Sequence, residues 1–234
     1  MTDEAERVRA AYARRAALGL DSRYDYTQPA NLFIYQSRER VLLDLLRDAS
    51  LLPLTGRRVL DVGCGGGGVL RDLLRYGATP EDLHGIDLLE DRVGRARELL
   101  PGSDIRLGDA QALPWDDASF DLTLGFTLLS SVVDEAARRR VIGEMTRVTR
   151  PGGRIILYDF WVNPANRDVR PLRRDDVRAL FPGRPVHFQG TTLAPPLTRL
   201  LAGLPGGWLA CTALEVIPLL RTHFLAAVTV DRPS

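Results

Sequence analysis

An α/β fold with a mostly parallel sheet covered on both faces is predicted by three observations. Short apolar runs alternate with helical patterns through the middle of the 234 residues. A glycine cluster follows the first of those runs, and acidic residues stand at the ends of the first three. Strand and helix in strict alternation favour parallel pairing, and right-handed crossovers then gather the carboxyl ends of the strands at one edge, where ligands bind.

The elements follow in order. Glu4 to Leu18 reads as a charged helix, and Ser37 to Arg47 as a second, with Val41, Leu42, Leu45 and Leu46 at helical spacing. The segment from Asp21 to Pro29 between them is polar, rich in tyrosine and closed by proline, which predicts a loop. Arg58–Val62 is the first strand, followed by a helix from Gly68 to Arg75. Leu83–Ile86 and Ile105–Leu107 are strands flanking a helix at Asp91–Leu100, and Phe120–Gly125 is a strand feeding a helix at Asp134–Thr149. Arg154–Phe160 is the fifth strand. A short helix at Asp175–Leu180 and strands at Val186–Thr192 and Phe224–Val230 complete the pattern. Residues 1–53 thus form an N-terminal helical cap and 54–234 the α/β domain. An insertion at about 194–220, rich in Leu, Pro and Gly and helical in part, precedes the last strand. It is too long for a hairpin loop and reads as a lid, a pocket wall or a surface for a second copy in a homodimer.

Composition excludes several classes. With 45% hydrophobic and 26% charged residues the chain is globular rather than disordered, and two cysteines make no disulfide scaffold. No apolar run reaches the roughly 18 residues of a membrane span; the most apolar stretch, Gly207 to Leu220, contains Glu215. Cys64 and Cys211 have no metal-ligand spacing, so no metal is expected. The acidic start, Met1 to Glu6, lacks a signal-peptide apolar core, and a cytoplasmic location is expected. Basic and acidic residues number 31 and 30, a balance that offers no global field for a nucleic-acid backbone; all 31 cations are arginine.

The strongest motif is Val59-Leu60-Asp61-Val62-Gly63-Cys64-Gly65-Gly66-Gly67-Gly68. Glycines permit positive φ and close backbone approach, and the following helix start offers free N–H groups. Gly63, Gly65 and Gly68 also satisfy the dinucleotide spacing, so a nicotinamide-dependent dehydrogenase stays open on the glycines alone. Asp61 argues against it: a carboxylate there repels a pyrophosphate and suits an ammonium group. Asp87 stands 20 residues after Gly67, where an acid accepts from ribose hydroxyls, although aspartate is also a common helix cap. Asp109, in Gly108-Asp109-Ala110, can accept from an exocyclic amine such as that of adenine, or serve as an ordinary turn residue.

Residues 55 to 160 resemble the class I S-adenosylmethionine-dependent methyltransferases, on Val59 to Gly67, His84 to Asp87, Gly108 to Ala110 with Leu113-Pro114-Trp115, Asp116 to Leu122, and Arg150 to Arg154. The resemblance implies a Rossmann-like seven-stranded sheet with the last strand antiparallel, and S-adenosylmethionine as cofactor. By position it implies that Asp61, Gly63, Cys64 and Gly65 meet the amino acid end, Asp87 and Leu88 the ribose, and Asp109 and Ala110 the adenine, with Phe126 alongside. It is most like the bacterial small-molecule branch. Gly125-Phe126-Thr127-Leu128 lacks the Asn or Asp, Pro-Pro and aromatic of nucleobase amino-methyltransferases, so a small-molecule acceptor is expected, methylated on oxygen before nitrogen or carbon. A non-catalytic ligand-binding protein keeping the fold is the alternative of a different kind.

An activated methyl group asks the protein mainly for alignment and exclusion of water, with a general base where the acceptor is an alcohol. Asp159, at the end of the fifth strand, and His223, at the start of the last, are the candidate bases. Candidate acceptor contacts are Tyr24, Tyr26 and Tyr35 in the N-terminal segment and Thr127, Ser130 and Ser131 after the fourth strand.

Overall fold

The computed structural model describes residues 3–19, 25–163, 166 and 168–231. Seven strands form one sheet: β1 (Val59–Val62), β2 (Leu83–Asp87), β3 (Asp104–Leu107), β4 (Phe120–Phe126), β5 (Thr149–Phe160), β6 (Val186–Leu193) and β7 (Arg221–Thr229). Their order across the sheet is β3-β2-β1-β4-β5-β7-β6. The first five strands pair in parallel, and β7 runs antiparallel to both β5 and β6. The order reverses between β1 and β4, and a crevice opens beyond the carboxyl ends of the strands at such a switch point.

The central strands are buried along their whole length because helices cover both faces. Alternate residues serve opposite cores. Val59, Leu124 and Tyr158 pack toward one layer of helices, and Leu60, Ile155 and Leu157 toward the other. The helices are α1 (Asp3–Ala17), α2 (Pro29–Asp48), α3 (Gly68–Leu74), α4 (Glu90–Leu99), α5 (Glu135–Val148), α6 (Arg174–Leu180), α7 (Pro195–Leu201) and α8 (Gly207–Glu215). Among the described residues none is long and apolar enough to cross a membrane.

Two boundaries differ from expectation for physical reasons. Pro29 opens α2 rather than closing a loop, since a first-turn proline gives up only an N–H that has no helical partner. Strand β5 begins at Thr149 rather than Arg154, because Thr149 pairs with Phe120 across an irregularity in register. The expected turn is folded into the strand there. A Cβ at Gly153 would stand 2.8 Å from the Arg150 carbonyl oxygen, so the tight path needs glycine.

Helix α1 lies over the carboxyl edge of the sheet and buries only Ala5 and Ala11. Polar contacts hold it instead. Glu4 accepts from the Val133 amide at 2.6 Å, Arg7 donates to the carbonyls of Ser131 and Asp168, and Arg14 pairs with Asp168 at 2.8 Å. The insertion forms α7, α8 and a short 3-10 turn at Pro218–Leu220. It packs on α2 through Trp208, edge-on to Phe33, and leaves Leu209 and Leu219 76% and 85% exposed.

Candidate active site

The glycine loop is built by backbone geometry that side chains resist. Gly63, Gly65 and Gly67 have φ of 75°, 53° and 81°. The amides of Gly63 and Cys64 both donate to the Ile86 carbonyl, at 2.8 and 3.0 Å, which holds the loop against β2. The Cys64 thiol turns inward against Gly85, where a Cβ would approach the sulfur to 2.9 Å. Burial, then the charges of Asp61 and Asp87, push that thiol's pKa up.

The three strand-end acids have distinct environments. Asp61 is 1% exposed, and its Oδ1 has no hydrogen-bond partner. Burial, helped by the charge of Asp87 and opposed by that of Arg38, pushes its pKa up to about 8. Asp87 accepts from the Gly65 amide at 2.8 Å through Oδ2 and from the Leu89 amide at 3.0 Å through Oδ1. Asp109 accepts from the Gln111 amide at 2.9 Å, a turn of the kind aspartate makes with its own backbone.

These ends surround a cavity of about 750 Å³ including its open mouth. Six of the expected cofactor residues line it: Gly63, Asp87, Leu88, Asp109, Ala110 and Phe126. Asp61, Cys64 and Gly65 lie outside that lining. Of the expected acceptor contacts, Thr127 and Ser131 reach the cavity. The Ser131 hydroxyl donates to the Thr127 carbonyl at 3.0 Å. Ser130 is buried below, and Thr127 holds a positive φ of 52° with its amide donating to the Tyr158 carbonyl at 2.7 Å. Glu4, Ala5, Val8 and Tyr12 of α1 roof the cavity, with Arg92 stacked 4.2 Å over the Tyr12 ring.

Beside Phe126 stands an aromatic group. Tyr26 stacks on Tyr35 at 5.1 Å, and Tyr158 stacks on His223 at 5.2 Å. Tyr24 lies outside the described residues. The Arg38 guanidinium sits 5.2 to 5.4 Å from the ring centres of Tyr35, Phe126 and Tyr158. Burial and this cation pull the His223 pKa down to about 4, leaving a neutral imidazole whose Nδ1 lies 2.9 Å from the Thr222 hydroxyl.

The two candidate bases are not brought together. Asp159 precedes Phe160, and Phe160 pairs with His223, so the two side chains point to opposite faces of the sheet. Asp159 is buried under the loop after β4, accepting from the amides of Ser130 and Phe160 at 3.0 and 3.1 Å. Burial raises its pKa to about 6 against those hydrogen bonds.

Sequence reasoning missed the roof of α1 and the two arginines, Arg38 and Arg92. The signal for the roof was present: Ala5, Val8 and Tyr12 recur at helical spacing on a helix otherwise charged. For Arg38 it was its position three residues after Tyr35 on one helix face.

Comparison with known proteins agrees with this geometry. Residues 60–157 match a family described as a methyltransferase domain. The 27-O-demethylrifamycin SV methyltransferase of Amycolatopsis mediterranei is 38% identical over 128 residues, 51% of this chain and 44% of that protein. The phthiotriol/phenolphthiotriol dimycocerosates methyltransferase of Mycobacterium tuberculosis is 36% identical over 167 residues, 64% of this chain and 58% of that one. The chain therefore spans about half the length of the curated relatives it matches. Among solved structures, the [4+2]-cyclase SpnF superposes with a TM-score of 0.57 at 22% identity, covering 82% of this chain and 81% of its own, a likeness of fold. Residues 60–157 are thus similar to the methyltransferase-domain family, on the sheet order and glycine loop described above.

Proposed function

We propose that the protein transfers a methyl group from S-adenosylmethionine to an oxygen of a small-molecule acceptor in specialised biosynthesis. The observation that carries the cofactor is Asp61 Oδ1, a buried acceptor with no donor, beside the positive-φ glycine loop. A buried acceptor of this kind is costly unless a ligand supplies the missing N–H, and the ammonium end of an amino acid does so. A pyrophosphate placed there would meet a carboxylate. When bound, the cofactor supplies a methyl group already activated on a sulfonium.

The chain's residues do the rest. Asp87 is braced by two amides and keeps lone pairs for ribose hydroxyls. Ala110 and Leu88 offer apolar walls to the base. Helix α1 closes the cavity and keeps water out, and Phe126 separates the cofactor cavity from the aromatic group where Tyr26, Tyr35 and His223 meet the acceptor. His223, neutral at physiological pH, takes the acceptor proton. The rifamycin relative's name specifies an oxygen site on a natural product, which supports oxygen here. The balanced charge supports a small molecule over a nucleic acid, and the exposed Leu209 and Leu219 support a homodimer.

Thermal melting tests the cofactor. S-adenosylhomocysteine raises the melting temperature and NAD leaves it unchanged; the reverse result removes the proposal. Incubation with methyl-labelled cofactor and a panel of hydroxylated natural products then reads the acceptor by mass.

A further inference from the structure

The rings on the acceptor side of Phe126 form two parallel stacks, and one cation joins them. Tyr26 and Tyr35 lie 5.1 Å apart at an interplanar angle of 9°, and Tyr158 and His223 lie 5.2 Å apart at 12°. The Arg38 guanidinium stands 5.2 Å from the Tyr35 ring centre and 5.4 Å from that of Tyr158. Tyr26 is 41% exposed, so the group opens outward at that end. Flat walls of this kind suit a flat guest, whose faces gain ring stacking as well as burial.

The charge at the centre has no counterpart in the protein. The carboxylates around α2 are engaged elsewhere: Glu39 with Arg75 at 2.8 Å, Glu215 with Arg40 at 2.9 Å, Asp44 with Arg47 at 2.7 Å. Among the described residues Arg38 forms no hydrogen bond and no ion pair; it has only ring faces. A guanidinium lying on rings keeps its N–H donors at its edge, where they favour an anionic oxygen and oppose an ammonium.

The Tyr158 ring carries His223 as well as Arg38. The imidazole meets the Thr222 hydroxyl through Nδ1 at 2.9 Å, and among the described residues its Nε2 has no hydrogen-bond partner. With its pKa pulled down to about 4, this imidazole is a weak base. A weak base removes the proton of a phenol or enol far more readily than that of an aliphatic alcohol, and a cation beside the forming oxyanion helps it.

We propose that the acceptor is a planar, acidic hydroxyl compound, a phenol or an enol, whose flat body lies along these rings and whose oxygen is held by Arg38 beside His223. This rests on the oxygen-methylation reading above and names its substrate class. The acceptor O–H bond breaks and its proton goes to Nε2 of His223. The acceptor oxygen forms the new O–CH₃ bond as the S–CH₃ bond breaks, with that electron pair passing to sulfur. The products are a methyl ether, S-adenosylhomocysteine and an imidazolium that returns its proton to solvent. Arg38 selects against amines, which arrive as cations, and the weak base selects against aliphatic alcohols.

The test uses the full chain saturated with S-adenosylhomocysteine and three flat probes: 4-nitrophenol, whose absorbance distinguishes phenol from phenolate, and the neutral 4-nitroanisole and 4-nitrobenzyl alcohol. Bound 4-nitrophenol is expected to titrate at a pH about 1–3 below that of the free probe, and its phenolate to bind at least about tenfold tighter than the benzyl alcohol. Arg38→Met removes the displaced titration and weakens the phenolate by about 10- to 100-fold, the range for a hydrogen-bonded charge, while 4-nitroanisole stays within about twofold. Arg38→Lys recovers part of the loss. Retained 4-nitroanisole and S-adenosylhomocysteine binding show that each variant is folded. An undisplaced titration, equal affinity for phenolate and benzyl alcohol, no binding of 4-nitrophenol, or equal loss of the phenolate and 4-nitroanisole in Arg38→Met overturns the proposal. Failure of the unmodified protein to bind S-adenosylhomocysteine overturns the cofactor reading instead.

Discussion

The Gly65 amide donates to Asp87 across 2.8 Å, so the tip of the glycine loop and the end of the neighbouring strand are one unit. The other oxygen of Asp87 takes the Leu89 amide at the start of α4. One carboxylate thereby fixes the loop, the strand end and the helix entry.

Asp87→Asn breaks this unit selectively. An amide group presents one oxygen and one NH₂, so one of the two backbone donors faces another donor. Leaving a buried donor unmet costs about 1–3 kcal/mol. The expected result is a lower melting temperature of the free protein and S-adenosylhomocysteine affinity down by at least about tenfold. Unchanged values in both melting and calorimetry would show that the brace is unimportant.

Asp61 makes free-protein stability depend on pH in a defined direction. Its folded pKa is about 8, against an ordinary value of 3.8. Between these values the folded chain keeps a proton that the unfolded chain has released, so this group's contribution is full below about 4 and is lost as pH rises to about 8. Asp61→Asn removes the effect. The variant's stability relative to the unmodified protein is expected to climb across that window and level off above it, as read by denaturant titrations at several pH values. A difference that is flat with pH contradicts the burial-driven shift.

Helix α1 is predicted to control ligand exchange. Its grip is polar, with Glu4 on the Val133 amide and Arg7 on the carbonyls of Ser131 and Asp168, and little apolar area is lost when it lifts. Arg7→Ala should accelerate S-adenosylhomocysteine release several-fold in stopped-flow measurements and raise hydrogen exchange over residues 3–17, with the sheet unaffected. Equal release rates would mean that the roof does not gate the cavity.

What was legible in the sequence is what is local. The strand-end acids follow directly from their strands, and positive φ at Gly63, Gly65 and Gly67 is encoded where it is used. The side of the sheet on which a residue works is set by register, and register comes from distant pairing. Asp159 and His223 both stand at strand ends, yet only the pairing of Phe160 with His223 reveals that they face opposite ways. Arg38 showed in the sequence only its spacing from Tyr35: its other two rings come from β4 and β5, where Phe126 pairs with Tyr158. The start of β5 was hidden because Arg150 to Gly153 has the composition of a free turn, whereas Thr149 finds Phe120 through tertiary pairing.

That division between faces yields the sharpest test of the chemistry. If His223 takes the acceptor proton, His223→Gln lowers kcat by about 10²–10⁴-fold while S-adenosylhomocysteine affinity stays near its original value. The acid limb of kcat/KM for the unmodified enzyme then falls near pH 4, where the imidazole becomes charged, provided the acceptor does not itself titrate there. If Asp159 were the base, the limb would fall near 6, and Asp159→Asn would abolish turnover. Its two backbone donors, from Ser130 and Phe160, argue for a different outcome. Asp159→Asn should lower the melting temperature through the loop after β4 and spare most of the catalytic rate at temperatures where the variant is folded. An acid limb near 6 together with full activity in His223→Gln would reverse these assignments.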